Sequence, residues 1–172
     1  MSPLSRKGWG RAAAPSVPVG PGEKVLASST ATDGTVLAGT RDAFYVVAGG
    51  ETRRVPWEQV EAADWDRDTD TFRLSEVGTW GDQRPVHTAV LTEPGRLLEL
   101  VRERVTASVV LQRHVPVSGR RGLRVIARRA PSGTGGVQWV YEYDEGLDPD
   151  DPAVREAARA TLEAMRSEVG LP

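Results

Sequence analysis

From Thr40 to Leu74 the chain reads TRDAFYVVAGGETRRVPWEQVEAADWDRDTDTFRL, a string of short apolar runs broken by turns and by one proline. Ala43–Ala48 is β-branched and aromatic, as a half-buried strand should be. Gly49-Gly50 is a tight-turn signal, and Thr52–Val55 returns. Pro56 has no N–H to donate, so it ends or kinks that strand. Val60–Asp66 and Thr71–Val77 then form a pair across the polar Arg67-Asp68-Thr69-Asp70. The stretch therefore reads as strand, turn, strand, bend, strand, turn, strand, with the bend at Pro56-Trp57-Glu58.

The pattern extends in both directions. Upstream, Val25-Leu26-Ala27 opens a strand, Asp33-Gly34 turns it, and Thr35–Thr40 returns. Downstream, Pro85–Leu91 is a seventh short strand. A helical pattern begins at Glu93, with Pro94 near the first helical position and Leu97, Leu98, Val101 and Val105 on one face. Seven short strands followed by one helix, with the "TRDAFYVV…RRVPWEQVEAADW" run at their centre, resemble the bacterial pleckstrin-homology-like domains. That resemblance covers residues 23 to about 107. It implies a seven-stranded barrel closed by a C-terminal helix, used for binding and carrying no catalytic motif. It brings no lipid-binding residue with it. The loop Ser28-Ser29-Thr30-Ala31-Thr32-Asp33-Gly34 has no positive charge, whereas phosphoinositide binders carry a basic loop there.

The rest of the chain adds strands and a helix. Val109–Val117 reads as a strand closed by Ser118-Gly119, and Arg121–Ala130 with Val137–Asp144 as a hairpin around PSGTGG. One register separates the side chains into coherent faces: Leu123 opposite Tyr143, Val125 opposite Tyr141, Ala127 opposite Trp139, with Arg124 opposite Glu142 and Ile126 opposite Val140. Asp151 is an N-cap, Pro152 fits the first helical position, and Gly170 stops the helix. Its stripe of Val154, Ala157, Ala158, Leu162, Met165 and Val169 should cover the Trp139, Tyr141 and Tyr143 face, in the same chain or in a partner. The expected class is therefore α+β, mainly β. Residues 1–22 are a flexible Pro/Gly-rich arm carrying Arg6, Lys7, Trp9 and Arg11, residues 23–107 a pleckstrin-homology-like barrel, and residues 108–172 a strand and helix extension.

Composition excludes several chemistries. There is no cysteine, which removes disulfides and thiolate ligands, and His87 and His114 are the only histidines. Lys plus Arg total 22 against 24 acids, so no whole-molecule steering toward nucleic acid or anionic membrane is expected. No apolar run approaches the ~20 residues that span a bilayer, and the N-terminus lacks a signal-peptide core. The expectation is a soluble, cytoplasmic protein without a cofactor.

Charge is nonetheless segregated. Seven arginines and no acid lie between Arg104 and Tyr141, and six acids and no base between Glu142 and Asp151. Arg113, His114, Arg120, Arg121, Arg124, Arg128 and Arg129 are a candidate phosphate-binding surface. The competing reading, which the alternation of the strands favours, is that the hairpin and the acidic link neutralise each other. Arg120 and Arg121 sit in a turn and are the ones left free on either reading. Asp148, Asp150 and Asp151 lack the spacing of a calcium loop and read as capping acids. PSGTGG lacks the Lys-Ser/Thr of a phosphate loop and reads as a hairpin turn. Asp64, Asp66, Asp68 and Asp70 read as solvated strand-end acids, with Trp65 pointing inward. Neither histidine has a motif beside it that would make a catalytic triad. The reading is a non-catalytic binding module for a protein partner or a second copy of itself. A nucleic-acid or phosphate-binding accessory protein is the alternative, and an enzyme of unknown type the third.

Overall fold

The structure, a computed structural model, describes residues 15–78 and 83–170. The arm residues 1–14 lie outside that range, with Arg6, Lys7, Trp9 and Arg11 among them. Ten strands and two α-helices are present among the described residues: β1 (Ala27–Thr30), β2 (Val36–Gly39), β3 (Ala43–Ala48), β4 (Glu51–Pro56), β5 (Val60–Asp66), β6 (Thr71–Glu76), β7 (Val86–Val90), α1 (Leu97–Ser108), β8 (Val109–Ser118), β9 (Arg121–Arg128), β10 (Gln138–Tyr143) and α2 (Pro152–Val169). They form three antiparallel sheets, ordered β1-β2-β3-β4, β5-β6-β7 and β10-β9-β8. The fold is α+β and mainly β, as the patterning requires.

The first seven strands do not close into one barrel. Pro56 ends β4, and Trp57–Gln59 make a single 3-10 turn before β5 begins. The ladder is cut there because proline cannot donate and the turn redirects the chain. The strands split four and three, and the two sheets face each other across a shared core of Leu37, Phe44, Val55, Trp57, Phe72, Leu74 and Leu91. Trp57 is the pin. It is fully buried, its Nε1 donates to the Thr40 carbonyl at 3.1 Å, and its ring lies 5.9 Å from that of Phe44. α1 packs Leu97 and Val101 into the same core, with Leu98 and Val105 at its edge. Close approach is possible because position 39 is glycine: a Cβ there would lie 2.6 Å from Leu100 Cδ2 and 3.3 Å from Trp57 Cζ2.

Several element boundaries differ from the patterning. β1 starts at Ala27, two residues after Val25. α1 starts at Leu97, because Gly95 takes a left-handed φ of 55° and Leu97 N closes a turn on the Pro94 carbonyl. Order also begins before Glu23. Val17 and Val19 pack on Ala38, Ala43 and Tyr45, on the outer face of the first sheet, and Gly20 N donates to the Tyr45 hydroxyl at 2.9 Å. A strap that buries two valines offsets its own ordering cost, which composition alone does not reveal.

The third sheet adopts the register that segregates its faces, residue for residue: Leu123 faces Tyr143, Val125 faces Tyr141, Ala127 faces Trp139, Arg124 faces Glu142 and Ile126 faces Val140. α2 covers the aromatic face within the same chain. Val154, Ala158 and Met165 bury against Leu123 and Val125, with Trp139, Tyr141 and Tyr143 alongside. Asp151 caps it by accepting from Ala153 N, and Gly170 ends it with φ of 61°. The opposite face is covered only in part, and its β8 residues Val110, Gln112 and His114 are exposed. Ile126 and Val140 are buried there, and Arg128 and Gln138 on that face reach the first unit. The extension sheet is thus covered by α2 on one face and meets the seven-stranded unit at one corner of the other.

Candidate functional site

The sequence-nominated arginines do not form one surface. β8 alternates, so Arg113 faces α2 and pairs with Glu168 at 2.6 Å, while His114 faces the other way and meets Asp144 at 3.0 Å. Asp144 also accepts from Gly122 N at 2.7 Å. The His114 hydrogen bond, then that backbone N–H, hold its carboxyl below the usual range. Arg124 pairs with Glu142 at 3.3 Å, the cross-strand neutralisation that the register implies. Arg129 is half-buried. Arg120, in the β8–β9 turn, and Arg121, the first residue of β9, are exposed and carry no ion pair among the described residues.

Arg128 departs furthest from a surface role, with only 3% of the residue exposed. Its Nη1 donates to Ser108 Oγ and its Nη2 to the Glu61 carbonyl, both at 3.0 Å. Burial works against its positive charge, and the carboxylates of Glu142 and Glu61 work for it. A guanidinium so enclosed binds nothing from solvent. It is here because the last residue of β9 sits where the extension meets both α1 and β5.

Both histidines have carboxylate partners that sequence proximity does not show. His87 Nε2 lies 2.7 Å from Glu76 Oε1, and Arg53 grips the same carboxylate through Nε at 3.1 Å and Nη2 at 2.6 Å. The cluster ties β4 of one sheet to β6 and β7 of the other, beside a cleft of about 370 Å³ lined also by Arg54, Gln59 and Gln83. Burial pushes the Glu76 carboxyl up, but the hydrogen bonds from Arg53 and His87 outweigh it and hold it low. A general base working near neutral pH needs the opposite shift, so this arrangement ties sheets together.

A second carboxylate is locked in the same fashion. Glu23 accepts from Thr40 Oγ1 at 2.6 Å, Tyr45 OH at 2.9 Å and Arg54 Nε at 2.8 Å. Burial again raises it, and those three bonds lower it further. Of the capping acids, Asp148 accepts from Asp150 N and Asp150 pairs with Arg155. They close the turn and start α2.

A second open site is apolar. A groove of about 430 Å³ lies between β5 and α1, walled by Ala63, Trp65 and Phe72 on the sheet side and by Leu98, Val101 and Val105 on the helix side. Asp64, Arg102 and Thr106 stand at its rim, all exposed. Trp65 does point inward, as its alternation with Asp64 and Asp66 requires, but it stays half-buried because the groove leaves part of it uncovered. β5 is the end strand of its sheet, so its outer edge carries backbone N–H and C=O groups that no strand pairs among the described residues. Sequence reasoning takes Trp65 and the α1 stripe as core.

No helix among the described residues is long and apolar enough to cross a membrane. No family model matches the chain, and neither does any curated protein or solved structure.

Proposed function

We propose that the chain is a non-catalytic protein-binding module that docks an extended segment of a partner into the groove between β5 and α1. The observation that carries this reading is the pairing of an apolar trough with an open strand edge. An extended peptide can add to such an edge through its main chain and place alternate side chains in the trough. The groove is within the volume range of ordinary ligand sites, and its Trp65 wall supplies the kind of aromatic surface on which binding energy concentrates. The state of the acids and histidines supports the same reading. Glu23, Glu76 and Asp144 are each committed to several internal donors, which suits a scaffold and does not suit acid–base chemistry.

The seven-stranded unit, split four and three and followed by a helix, is consistent with the pleckstrin-homology-like architecture, and we carry that assignment as part of the proposal. Absence of cysteine and a near-balanced charge fit a cytoplasmic setting. A phosphate-binding role rests now on Arg120 and Arg121, the two nominated arginines that are both exposed and unpaired among the described residues.

Selection of a displayed random-peptide library on the immobilised full chain tests the reading. Enriched peptides should shift the backbone amide signals of residues 63–66 and 98–106. They should lose affinity when Thr106→Trp fills the mouth of the groove. Binders that map elsewhere, or that tolerate Thr106→Trp, would overturn it.

A further inference from the structure

Arg128 touches both elements that wall the groove, beyond the residues that line it. Through Nη2 it holds the carbonyl of Glu61, in the first turn of pleat of β5, whose later residues Ala63, Asp64 and Trp65 line the trough. Through Nη1 it holds the hydroxyl of Ser108, the last residue of α1, whose Leu98, Val101 and Val105 line the other side. Ser108 is itself tied into the helix, its Oγ donating to the Val105 carbonyl at 2.7 Å, and its own carbonyl accepts from Arg129 N at 2.9 Å. The extension therefore grips α1 twice and β5 once at one end of the groove. Gln59 and Gln138 add a side-chain hydrogen bond across the same junction.

The geometry points to Arg128 as a positioning residue that sets the distance between β5 and α1, and so makes the extension a clamp on the docking groove. This rests on the docking reading for its use, but the spacing itself is a property of the free protein. Guanidinium is suited to the task, since its planar fork reaches two acceptors in fixed directions while lysine offers one flexible point charge. The site also explains why so costly a group is buried. Desolvation opposes an arginine here, and an apolar side chain would fill the space without aligning two separate elements.

The test uses the full chain labelled with 5-fluorotryptophan and observed by fluorine NMR without ligand. Trp65 reports the groove, Trp57 the sandwich core and Trp139 the α2 face. Arg128→Met should move or broaden the Trp65 signal and leave Trp57 and Trp139 in place. Arg128→Lys should fail to restore it. Arg124→Met, on the same strand face but paired only with Glu142 inside the extension sheet, should leave Trp65 unchanged. Where Arg128→Met does not fold, Ser108→Ala removes the helix-side contact, together with the bond to the Val105 carbonyl, and leaves the Glu61 contact, so it should give a smaller Trp65 shift in the same direction. An unmoved Trp65 signal in folded Arg128→Met or Ser108→Ala protein overturns the clamp, whether or not the groove binds peptides. For a groove peptide, the clamp predicts weaker binding to Arg128→Met with the Thr106→Trp control still inactive.

Discussion

Replacing Trp57 by phenylalanine tests whether the bend after Pro56 is what organises the two facing sheets. Trp57 is fully buried, and so is Thr40, whose carbonyl takes the indole N–H at 3.1 Å. Phenylalanine keeps the contact with Phe44 and loses two things. The Thr40 carbonyl is left without this donor in the core, which costs about 1–3 kcal/mol. The smaller ring leaves roughly 40 Å³ unfilled, which at ~24 cal/mol per Å³ adds about 1 kcal/mol. The expected loss is about 2–4 kcal/mol, since the two terms act on different atoms. Urea unfolding followed by far-ultraviolet circular dichroism reads it as a lower midpoint with an unchanged slope. A loss below ~1 kcal/mol would mean that the bend is held by its backbone and that the indole is replaceable filling.

Other outcomes follow from the same contacts. Gly122→Ala should be among the most damaging small changes in the extension, because a Cβ there would lie 1.9 Å from the Val115 carbonyl oxygen, which is backbone and cannot turn aside; thermal unfolding measures it, and a near-normal midpoint contradicts the β8–β9 register. Gly39→Ala should cost about 1–3 kcal/mol by overpacking, less than its 2.6 Å contact suggests, since the obstacle is the end of the Leu100 side chain. Acid should weaken the fold through Glu23 and Glu76. Both titrate below their ordinary value of 4.5 when folded, so their contribution is present above that pH and is lost as pH falls toward the folded values. Glu61 runs the other way, since burial raises it and acid relieves that cost despite Arg84. Glu23→Gln and Glu76→Gln should each flatten the acid limb of a urea-midpoint against pH curve; an unchanged limb refutes the assignment. Reversing Arg120 and Arg121 to glutamate should leave stability and groove binding intact, and should abolish any salt-dependent binding to polynucleotide.

Much of this fold is legible in the residues because local chemistry and tertiary need coincide. The β9–β10 register follows from period-two segregation of Leu123, Val125 and Ala127 with three aromatics, and α2 from its cap, stripe and stop. The closed barrel was not legible as wrong, because strand runs specify ladders within a sheet but not whether the ladder continues through Pro56. The strap at Val17 and Val19 was missed because two valines among prolines and glycines bury surface only when a face such as Ala38, Ala43 and Tyr45 awaits them. The site was less legible than the fold. Arg128 looks like its neighbours in the sequence, and only the packing of β9 against α1 and β5 turns it inward. Glu76 and His87 meet because of the register in which β6 and β7 align, which the two strand runs do not specify by themselves. The groove exists between elements about thirty residues apart, so no window of sequence contains it.

The docking claim is most directly tested by site-specific photocrosslinking of the full chain in lysate of the cells that make it. Benzoylphenylalanine would replace Asp64 or Arg102 at the groove rim, with Thr88 on the outer face of the same sheet and Arg120 in the basic turn as comparison positions. The account predicts one dominant protein adduct from Asp64 and Arg102, resistant to nuclease, lost with Thr106→Trp and absent from Thr88 and Arg120. Adducts that form equally from Thr88, or that come from Arg120 and vanish with nuclease, would contradict it and move the function to another face.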